Sequence, residues 1–157
     1  MASEIRTVVT FESSSFNMSD PKDYFINPCC FGDDVGRWLI GELRRNGVEA
    51  DEEPGQEDFG WYVNFRSGAL THTFLIGHRP AGESEKGTWI AWLERSRGLI
   101  GSLAGRRKHG IDATAAEAIH RALSGSTLVQ DIRWHFRDDF DTGHEERAAS
   151  SPLSPRS

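Results

Sequence analysis

Three strand-like segments between residues 60 and 94 constrain the fold of this chain more than any other feature. In the first segment, Trp61, Val63 and Phe65 alternate with more polar neighbours, which is the period-two pattern of a half-buried β-strand. Short polar stretches separate the three segments, so we expect neighbouring strands to pair antiparallel. The predicted elements are, in order, strand 60–66, a Ser67-Gly68 turn, strand 69–79, a polar turn at 80–87 and strand 88–94.

Two segments with helical periodicity lie on either side of this meander. The first, 34–46, places apolar side chains three and four residues apart and follows Asp33, which we predict to be the N-cap. The second, 113–123, carries its own apolar stripe and follows Asp112, another predicted N-cap. Both helices are therefore expected to bury one face against the meander.

The order of the predicted elements indicates an α+β fold. Further strands are predicted at 5–12, 48–52 and 127–136 from their β-branched and apolar residues. Two helices on one face of a mostly antiparallel sheet of about five to six strands form a two-layer sandwich, whose other face stays available to a partner. We predict one such domain over residues 1–140 and a disordered tail over 141–157, which is charged and then rich in Ser, Pro and Ala.

The chain is acidic, and its charge is unevenly distributed. The 157 residues carry a formal net charge of −6. Residues 1–93 have 8 Lys or Arg against 15 Asp or Glu, whereas residues 94–157 have 10 against 9. Nucleic-acid binding depends on basic residues that neutralise phosphates, so this balance argues against a nucleic-acid partner. No apolar run approaches the roughly 20 residues of a membrane span and no secretion-signal pattern begins the sequence, so we expect a cytoplasmic location and no membrane partner.

Five carboxylates lie within the eight residues 51–58, shortly before the first meander strand. Pro54 and Gly55 interrupt this stretch, which predicts a loop at the end of a core strand. We interpret the loop as a surface that faces a basic macromolecular partner, with an aromatic anchor beside it. The predicted binding residues are Asp51, Glu52, Glu53, Glu57, Asp58, Trp61 and Tyr62.

Two other interpretations of charged segments stay open. Carboxylate oxygens also suit a hard cation, but their spacing here is not that of an EF-hand, and we predict neither a metal nor a cofactor. Residues 95–109 are basic and irregular. Arg107 and Lys108 in that segment could hold a phosphate, or the segment could pair with the acidic loop.

A pocket lined by cysteine and histidine is the alternative functional hypothesis. Cys29 and Cys30 precede the first helix, where a helix N-terminus can lower the pKa of a thiol and favour nucleophilic catalysis. His72 and His78 share a strand face by their even spacing and could act as partners. These four residues would serve a small enzyme or a ligand-binding protein. Cysteines buried as small apolar groups are the competing interpretation, and we favour a protein that is not an enzyme.

Parts of the chain resemble small uncharacterised proteins of proteobacteria. The strings that carry this resemblance are FINPCCFGDD at 25–34, EPGQEDFGWY at 53–62 and GTWIAWLE at 87–94. The resemblance spans roughly residues 5–140. It implies a bacterial, cytoplasmic setting and transfers no activity and no catalytic residue.

The sequence as a whole favours a non-enzymatic bacterial binding protein that presents an acidic loop to a basic protein. A toxin-immunity-type inhibitor is one concrete form, because an acidic face on a small α+β domain can block a basic nuclease site by charge complementarity. This hypothesis rests on charge and on analogy at the level of the fold.

Overall fold

The computed structural model describes residues 4–26, 30–79, 88–95 and 110–156. The elements within these residues are β1 (Val8–Glu12), α1 (Asp33–Arg45), β2 (Gly55–Glu57), β3 (Gly60–Ser67), β4 (Leu70–Arg79), β5 (Thr88–Arg95), α2 (Ala113–Ser124), β6 (Gln130–His135), α3 (Arg137–Asp141) and a 3₁₀ turn (Glu145–Arg147). The six described strands form one sheet in the order β2-β3-β4-β5-β1-β6. Every pairing between neighbouring strands is antiparallel.

This architecture confirms the predicted α+β fold with a two-layer arrangement. The meander β3-β4-β5 lies at the three segments predicted as consecutive strands, and β1 and β6 extend the sheet beyond β5. The predicted polar turn at 80–87 lies outside the described residues, as does 96–109 of the basic segment. The predicted strand at 48–52 is reduced to a bridge between Ala50 and Phe65.

The core lies between the sheet and helices α1 and α2. Each strand turns alternate side chains towards the helices, and each helix contributes the apolar stripe predicted from its periodicity. Burying one such aliphatic or aromatic side chain stabilises the fold by about 1.5–3 kcal/mol. The largest side chains that are almost wholly buried here are Phe11, Leu39, Leu43, Phe65, Phe74, Ile76, Trp89, Leu93, Ile119, Leu123 and Trp134.

The helix starts agree only in part with their predicted caps. Asp112 caps α2, since its carboxylate accepts a hydrogen bond from the Thr114 amide at 3.3 Å. The prediction of Asp33 as the N-cap of α1 is wrong, because Gly32 occupies that position with a φ of 135°. Asp33 lies in the first turn instead, where its buried carboxylate pairs with Arg37 at 3.1 Å and accepts a hydrogen bond from the Tyr24 hydroxyl.

The sheet face opposite α1 and α2 is called the open face below. Strand register aligns one row of residues across it, namely Gly55, Tyr62, Leu75, Trp92, Val8 and His135. Among the described residues, the short helix α3 lies over the β5–β1–β6 end of this face, and Leu75 at the centre of the row is also buried, at 2% exposure. Its Arg137 lies 3.8 Å from Glu94, and its Phe140 ring lies 5.2 Å from the His135 ring.

The C-terminal segment is ordered, in contrast to the disorder predicted for residues 141–157. It forms the 3₁₀ turn, and Ala149 exchanges two backbone hydrogen bonds with Trp134, at 2.7 and 2.8 Å. Arg6, only 3% exposed, holds the segment from the opposite end of the chain by donating to the carbonyls of Arg147, Ser154 and Pro155. The polar composition of the segment suggested disorder, but its backbone carbonyls provide the partners of a buried cation.

None of the helices in the described part of the chain is both long and apolar enough to cross a lipid bilayer.

Candidate functional site

The acidic stretch folds into a hairpin and not into the simple loop predicted for it. Strand β2 pairs with the start of β3, and Asp58 and Phe59 form the turn between them. Gly60 closes this turn with a φ of 156°, and a Cβ added there would lie 2.3 Å from the Ile76 carbonyl oxygen. Only glycine therefore fits this position. Residues 51–62 are called the acidic hairpin below.

Helix α1 supports the acidic hairpin through a close contact between Gly36 and Pro54. A Cβ added at Gly36 would lie 2.8 Å from the Pro54 Cβ, so the helix approaches the hairpin at backbone distance. Beyond Pro54, the Tyr62 ring covers Gly55 so closely that a Cβ there would lie 2.2 Å from the Tyr62 Cζ atom. The Gly36–Pro54 contact fixes the base of the hairpin against α1, and the Gly55–Tyr62 contact closes the hairpin on itself.

The segment that precedes α1 ties down the other side of the hairpin. The Gln56 side-chain amide donates to the Tyr24 carbonyl at 2.9 Å and accepts from the Ile26 amide at 2.5 Å. The Cys30 thiol donates to the Asp58 carbonyl at 3.2 Å. The hairpin is thus a rigid support for its side chains, which is how folded domains commonly present functional groups.

The carboxylates of the hairpin differ in their surroundings. Glu52, Glu53 and Asp58 are exposed. Glu57 is half-buried and lies on the open face, because it follows Gly55 by two residues in β2 and Gly55 pairs with Tyr62 of that face. Asp51 is not a projecting group as predicted: its carboxylate accepts a hydrogen bond from the Asn64 amide at 3.0 Å and has a structural role.

The arginines near the hairpin do not neutralise it. Residues 46–65 contain no Lys, Arg or His. Arg44 donates to the Ala50 carbonyl at 3.0 Å, and Arg66 lies 3.8 Å from Glu49, which precedes the hairpin. Across 4–26, 30–79, 88–95 and 110–156, no Lys or Arg lies within ion-pairing distance of Glu52, Glu53 or Glu57. Within the described residues, the charges of Glu52, Glu53 and Glu57 are therefore not offset by a Lys or Arg partner.

Within the acidic hairpin, the most exposed aromatic residue is Phe59 and not Trp61. Trp61 is 4% exposed, and its indole N–H donates to the Cys30 carbonyl at 2.8 Å. Phe59 is 41% exposed at the tip of the hairpin, with its ring 5.7 Å from that of Trp92. Tyr62, the other predicted anchor, is half-buried on the open face. The exposure of Phe59 follows from its position in the two-residue turn between β2 and β3, because side chains in such turns commonly point into solvent.

The structure separates the histidines proposed for a Cys/His pocket. His72 and His78 are six residues apart on β4, which corresponds to roughly 20 Å along a strand. His72 is fully buried near α2, and its Nε2 accepts a hydrogen bond from the Asp112 amide at 3.1 Å. His78 lies at the other end of β4, with its ring 5.8 Å from the Phe31 ring and 4.7 Å from the Trp89 ring. Cys30, next to Phe31, is buried in that same region, while Cys29 lies outside the described residues.

Burial lowers the pKa of both strand histidines. For His72 the loss of hydration outweighs the favourable charge of Asp112, and for His78 burial is the cause. Both rings are therefore neutral near pH 7. Their surroundings are those of core residues: His72 stacks on Phe65 with ring centroids 5.9 Å apart, and His78 packs between aromatic rings.

A polar cleft of about 290 Å³ on the open face was not predicted from the sequence. His135 is 1% exposed at the base of this cleft, and its Nε2 lies 2.9 Å from the Thr10 hydroxyl. Burial lowers the pKa of this histidine as well. The charged groups around it pair with one another, Arg79 with Glu145 at 3.0 Å and Arg133 with Asp131 at 3.0 Å. The lining residues are Thr10, Phe11, Glu12, Arg79, Thr88, Asp131, Arg133, His135 and Glu145.

The described residues hold no group of three or more His, Cys, Asp or Glu side chains arranged to bind a metal ion. Comparison with models of protein families, with curated protein sequences and with solved structures gives no significant match.

Proposed function

We propose that this chain is a non-enzymatic bacterial protein that binds a basic protein partner through its acidic hairpin, acting in the cytoplasm. The observation that carries this proposal is that Glu52, Glu53 and Asp58 are exposed on a hairpin held by α1 and by the segment before it. Several carboxylates on a rigid support make the local electrostatic potential more negative, and this increases the rate of association with a cationic partner.

An inhibitor of the toxin-immunity type is the specific form of this function that we favour. Such an inhibitor needs a compact acidic surface that covers the cationic site of its target, and it needs no reaction centre of its own. The acidic hairpin meets the first requirement through four carboxylates, Glu52, Glu53, Glu57 and Asp58, that lie within seven residues. Charge complementarity of this kind determines the association rate and the choice of partner more than it determines raw affinity.

The alternative, an enzyme or ligand-binding protein with a Cys/His pocket, has less support. His72 bonds to the start of α2, whereas Cys30 lies by the acidic hairpin. His78 packs against the rings of Phe31 and Trp89, and the Cys30 thiol is hydrogen-bonded to the Asp58 carbonyl. No observation on these residues favours a reaction over core packing.

The test is a charge-reversal variant, Glu53→Lys, Glu57→Lys and Asp58→Lys combined. The immobilised wild-type protein is expected to enrich proteins of high isoelectric point from a bacterial lysate, with their identities read by mass spectrometry. The variant is expected to lose that enrichment, because six units of charge change on one surface. Its circular dichroism spectrum should match that of the wild type, since Glu53 and Asp58 are exposed and Glu57 is half-exposed.

A matched control carries the same change in net charge elsewhere on the surface. Asp23, Glu117 and Glu146 are exposed and lie outside the hairpin, so their combined replacement by Lys should leave the captured proteins unchanged. Equal loss in both variants would show that net charge alone governs capture, and unchanged capture by the hairpin variant would refute the proposal.

A further inference from the structure

The polar cleft on the open face lies far from the acidic hairpin. All nine of its lining residues belong to the part of the chain that the structure describes, and its volume of about 290 Å³ is near the lower end of the range for ligand pockets. Strands β1 and β6 contribute six of the nine, whereas the hairpin contains β2 at the other edge of the sheet. Four strand spacings separate β1 from β2, which is about 19 Å. The cleft is therefore a separate site.

The base of the cleft is a buried pair of polar side chains. His135 is 1% exposed, and its Nε2 is bonded to the hydroxyl of Thr10, which is 6% exposed. The Nδ1 atom of His135 is buried as well, and no atom of the described residues forms a hydrogen bond with it. Buried polar atoms are normally paired, because leaving one unpaired costs free energy. The base of the cleft therefore favours a polar occupant over an apolar one.

Glu12 supplies a negative charge to one side of the cleft. Its side chain is half-buried, and its backbone pairs with Gln130 of β6. Across 4–26, 30–79, 88–95 and 110–156, no Lys, Arg or His lies within ion-pairing distance of the Glu12 carboxylate. Partial burial strengthens the attraction of such a group for a cation, because less water screens it. Glu12 is thus suited to bind an ammonium group.

Arg133 supplies a positive charge, and part of its guanidinium is still available. Its Nε donates to Asp131 at 3.0 Å, while neither terminal nitrogen has a hydrogen-bond partner among the described residues. Asp131 reaches Nε from a bulge in β6, where its φ is 52° and the register with β1 shifts. Bulges commonly redirect side chains beside binding sites. The two terminal nitrogens form a fork that fits a carboxylate through two parallel hydrogen bonds.

The chain keeps these two opposite charges apart. Thr10 pairs with Arg133 across the strands, and Glu12 lies two residues farther along β1, which is about 7 Å. On the other side of the cleft, Arg79 and Glu145 neutralise each other through hydrogen bonds of 3.0 and 3.1 Å. The two groups left for a ligand are therefore one carboxylate and one guanidinium, which match a molecule that carries both an ammonium and a carboxylate.

We infer that this cleft binds a small zwitterion of the amino-acid class with a polar, uncharged side chain. Glu12 binds the ammonium, the terminal nitrogens of Arg133 bind the carboxylate, and Thr10 and His135 contact the polar side chain of the ligand. Both ends of the ligand make charge-assisted hydrogen bonds, which are stronger than neutral ones, so recognition requires both charges. This binding is an additional activity and does not depend on the acidic hairpin.

The probes are L-serine, L-asparagine and L-glutamine, each titrated into the ¹⁵N-labelled full chain and followed by NMR. At least one of them is expected to shift the amides of Thr10, Glu12 and Arg133 and to leave hairpin amides such as that of Glu53 unchanged. The comparison compounds are the N-acetylated form, which lacks the ammonium, and the carboxamide form, which lacks the carboxylate. Each should bind about tenfold more weakly than the free amino acid, since it loses a charge-assisted contact.

Two substitutions separate the roles of the charged side chains. Glu12→Gln should abolish the preference for the free amino acid over its N-acetylated form, and Arg133→Gln should abolish the preference over its carboxamide form. Glu117→Gln and Arg121→Gln remove the same charges from exposed positions on α2 and should bind as the wild type does. Both cleft variants should melt close to the wild type, because Arg133 is 57% exposed and Glu12 has no ion pair within the described residues.

Several results would contradict the zwitterion site. One is the absence of shifts around Glu12 and Arg133 with all three amino acids at millimolar concentration, and another is wild-type binding by both cleft variants. Equal binding of the N-acetylated form by the wild type would make the cleft an anion site, and equal binding of the carboxamide form would make it a cation site. The charge-reversal variant of the hairpin should bind the amino acid normally, so either proposal can fail while the other stands.

Discussion

The guanidinium of Arg6 lies 4.2 Å from the centroid of the Phe136 ring, near the start of the chain and close to its C-terminal segment. The Arg156 guanidinium lies 4.1 Å from the same centroid and also pairs with Glu4 and Asp138. Arg6 in addition donates to the carbonyls of Trp134, Arg147, Ser154 and Pro155. One buried cation thus joins both ends of the chain to β6.

Replacing Arg6 with Met should lower the free energy of unfolding by about 3 kcal/mol. The substitution leaves carbonyls without a donor, and each buried polar group without a partner costs about 1–3 kcal/mol. The measurement is urea unfolding followed by circular dichroism. Arg133→Met is the control, because that side chain is 57% exposed and should change stability by no more than about 0.5 kcal/mol. Equal stability of the two variants would contradict the anchoring role of Arg6.

The two glycines of α1 should respond oppositely to alanine. Gly41 has nothing within 4 Å of an added Cβ, so Gly41→Ala should stabilise the protein by up to about 1 kcal/mol through helix propensity. Gly36→Ala should destabilise it, because the new Cβ would lie 2.8 Å from the Pro54 Cβ and would push the acidic hairpin away. The measurement is the melting temperature of each variant against that of the wild type. If both substitutions stabilised the protein, α1 and Pro54 would be able to move apart without loss of stability.

Stability should fall on acidification below about pH 6.5, partly because of His72. Burial depresses the folded-state pKa of His72 below its unfolded value of about 6.5. The unfolded chain therefore binds more protons in this range, and the free energy of unfolding rises with pH. Protonation also removes the acceptor that Nε2 offers to the Asp112 amide.

The corresponding variant is His72→Gln, whose side-chain oxygen can accept the same hydrogen bond. It should remove about 1 kcal/mol of the difference in unfolding free energy between pH 7.5 and pH 5.5. His144→Gln, at a position whose side chain is 43% exposed, provides the comparison. The same pH dependence in the His72 variant and the wild type would assign the effect to other groups.

Replacing Trp61 should lower the stability of the fold, whereas replacing Phe59 should leave the stability nearly unchanged. Trp61→Phe should cost about 1–2 kcal/mol of stability, because the indole N–H bond to the Cys30 carbonyl is lost and part of the core is vacated. Phe59→Ser should change stability by less than about 0.5 kcal/mol, since the side chain is 41% exposed at a turn. Urea unfolding of the pair tests this, and a larger loss for Phe59→Ser would mean that its ring belongs to the core.

The meander and both long helices were predictable because their signals are local. Alternation along β3 specifies which side chains face inwards, and the same alternation explains the error about Trp61. Trp61 lies on the same strand face as Val63 and Phe65, which are both buried. The alternation that predicted the strand therefore also places Trp61 in the core. Phe59 precedes the strand in the turn, outside that pattern, and its contact with Trp92 comes from a strand more than 30 residues away.

The C-terminal segment was not predictable because its partner is distant in the sequence. Arg6 and Ser154 are 148 residues apart, and the composition of residues 141–157 carries no trace of the carbonyls that Arg6 requires. The burial of His135 likewise depends on a tertiary contact. His135 follows Trp134 in β6 and therefore lies on the opposite face of the sheet. Helix α3 brings Phe140 over that face and excludes solvent from His135.

The sheet ends offer few unpaired backbone groups to another chain. Strand β2 is only three residues long, and β6 is already bonded at Trp134 to Ala149. Short or covered edge strands are how native sheets avoid joining one another. Concentrated solutions of this protein should therefore resist fibril growth by strand addition, and any assembly it enters must be built from side chains and not by lengthening the sheet.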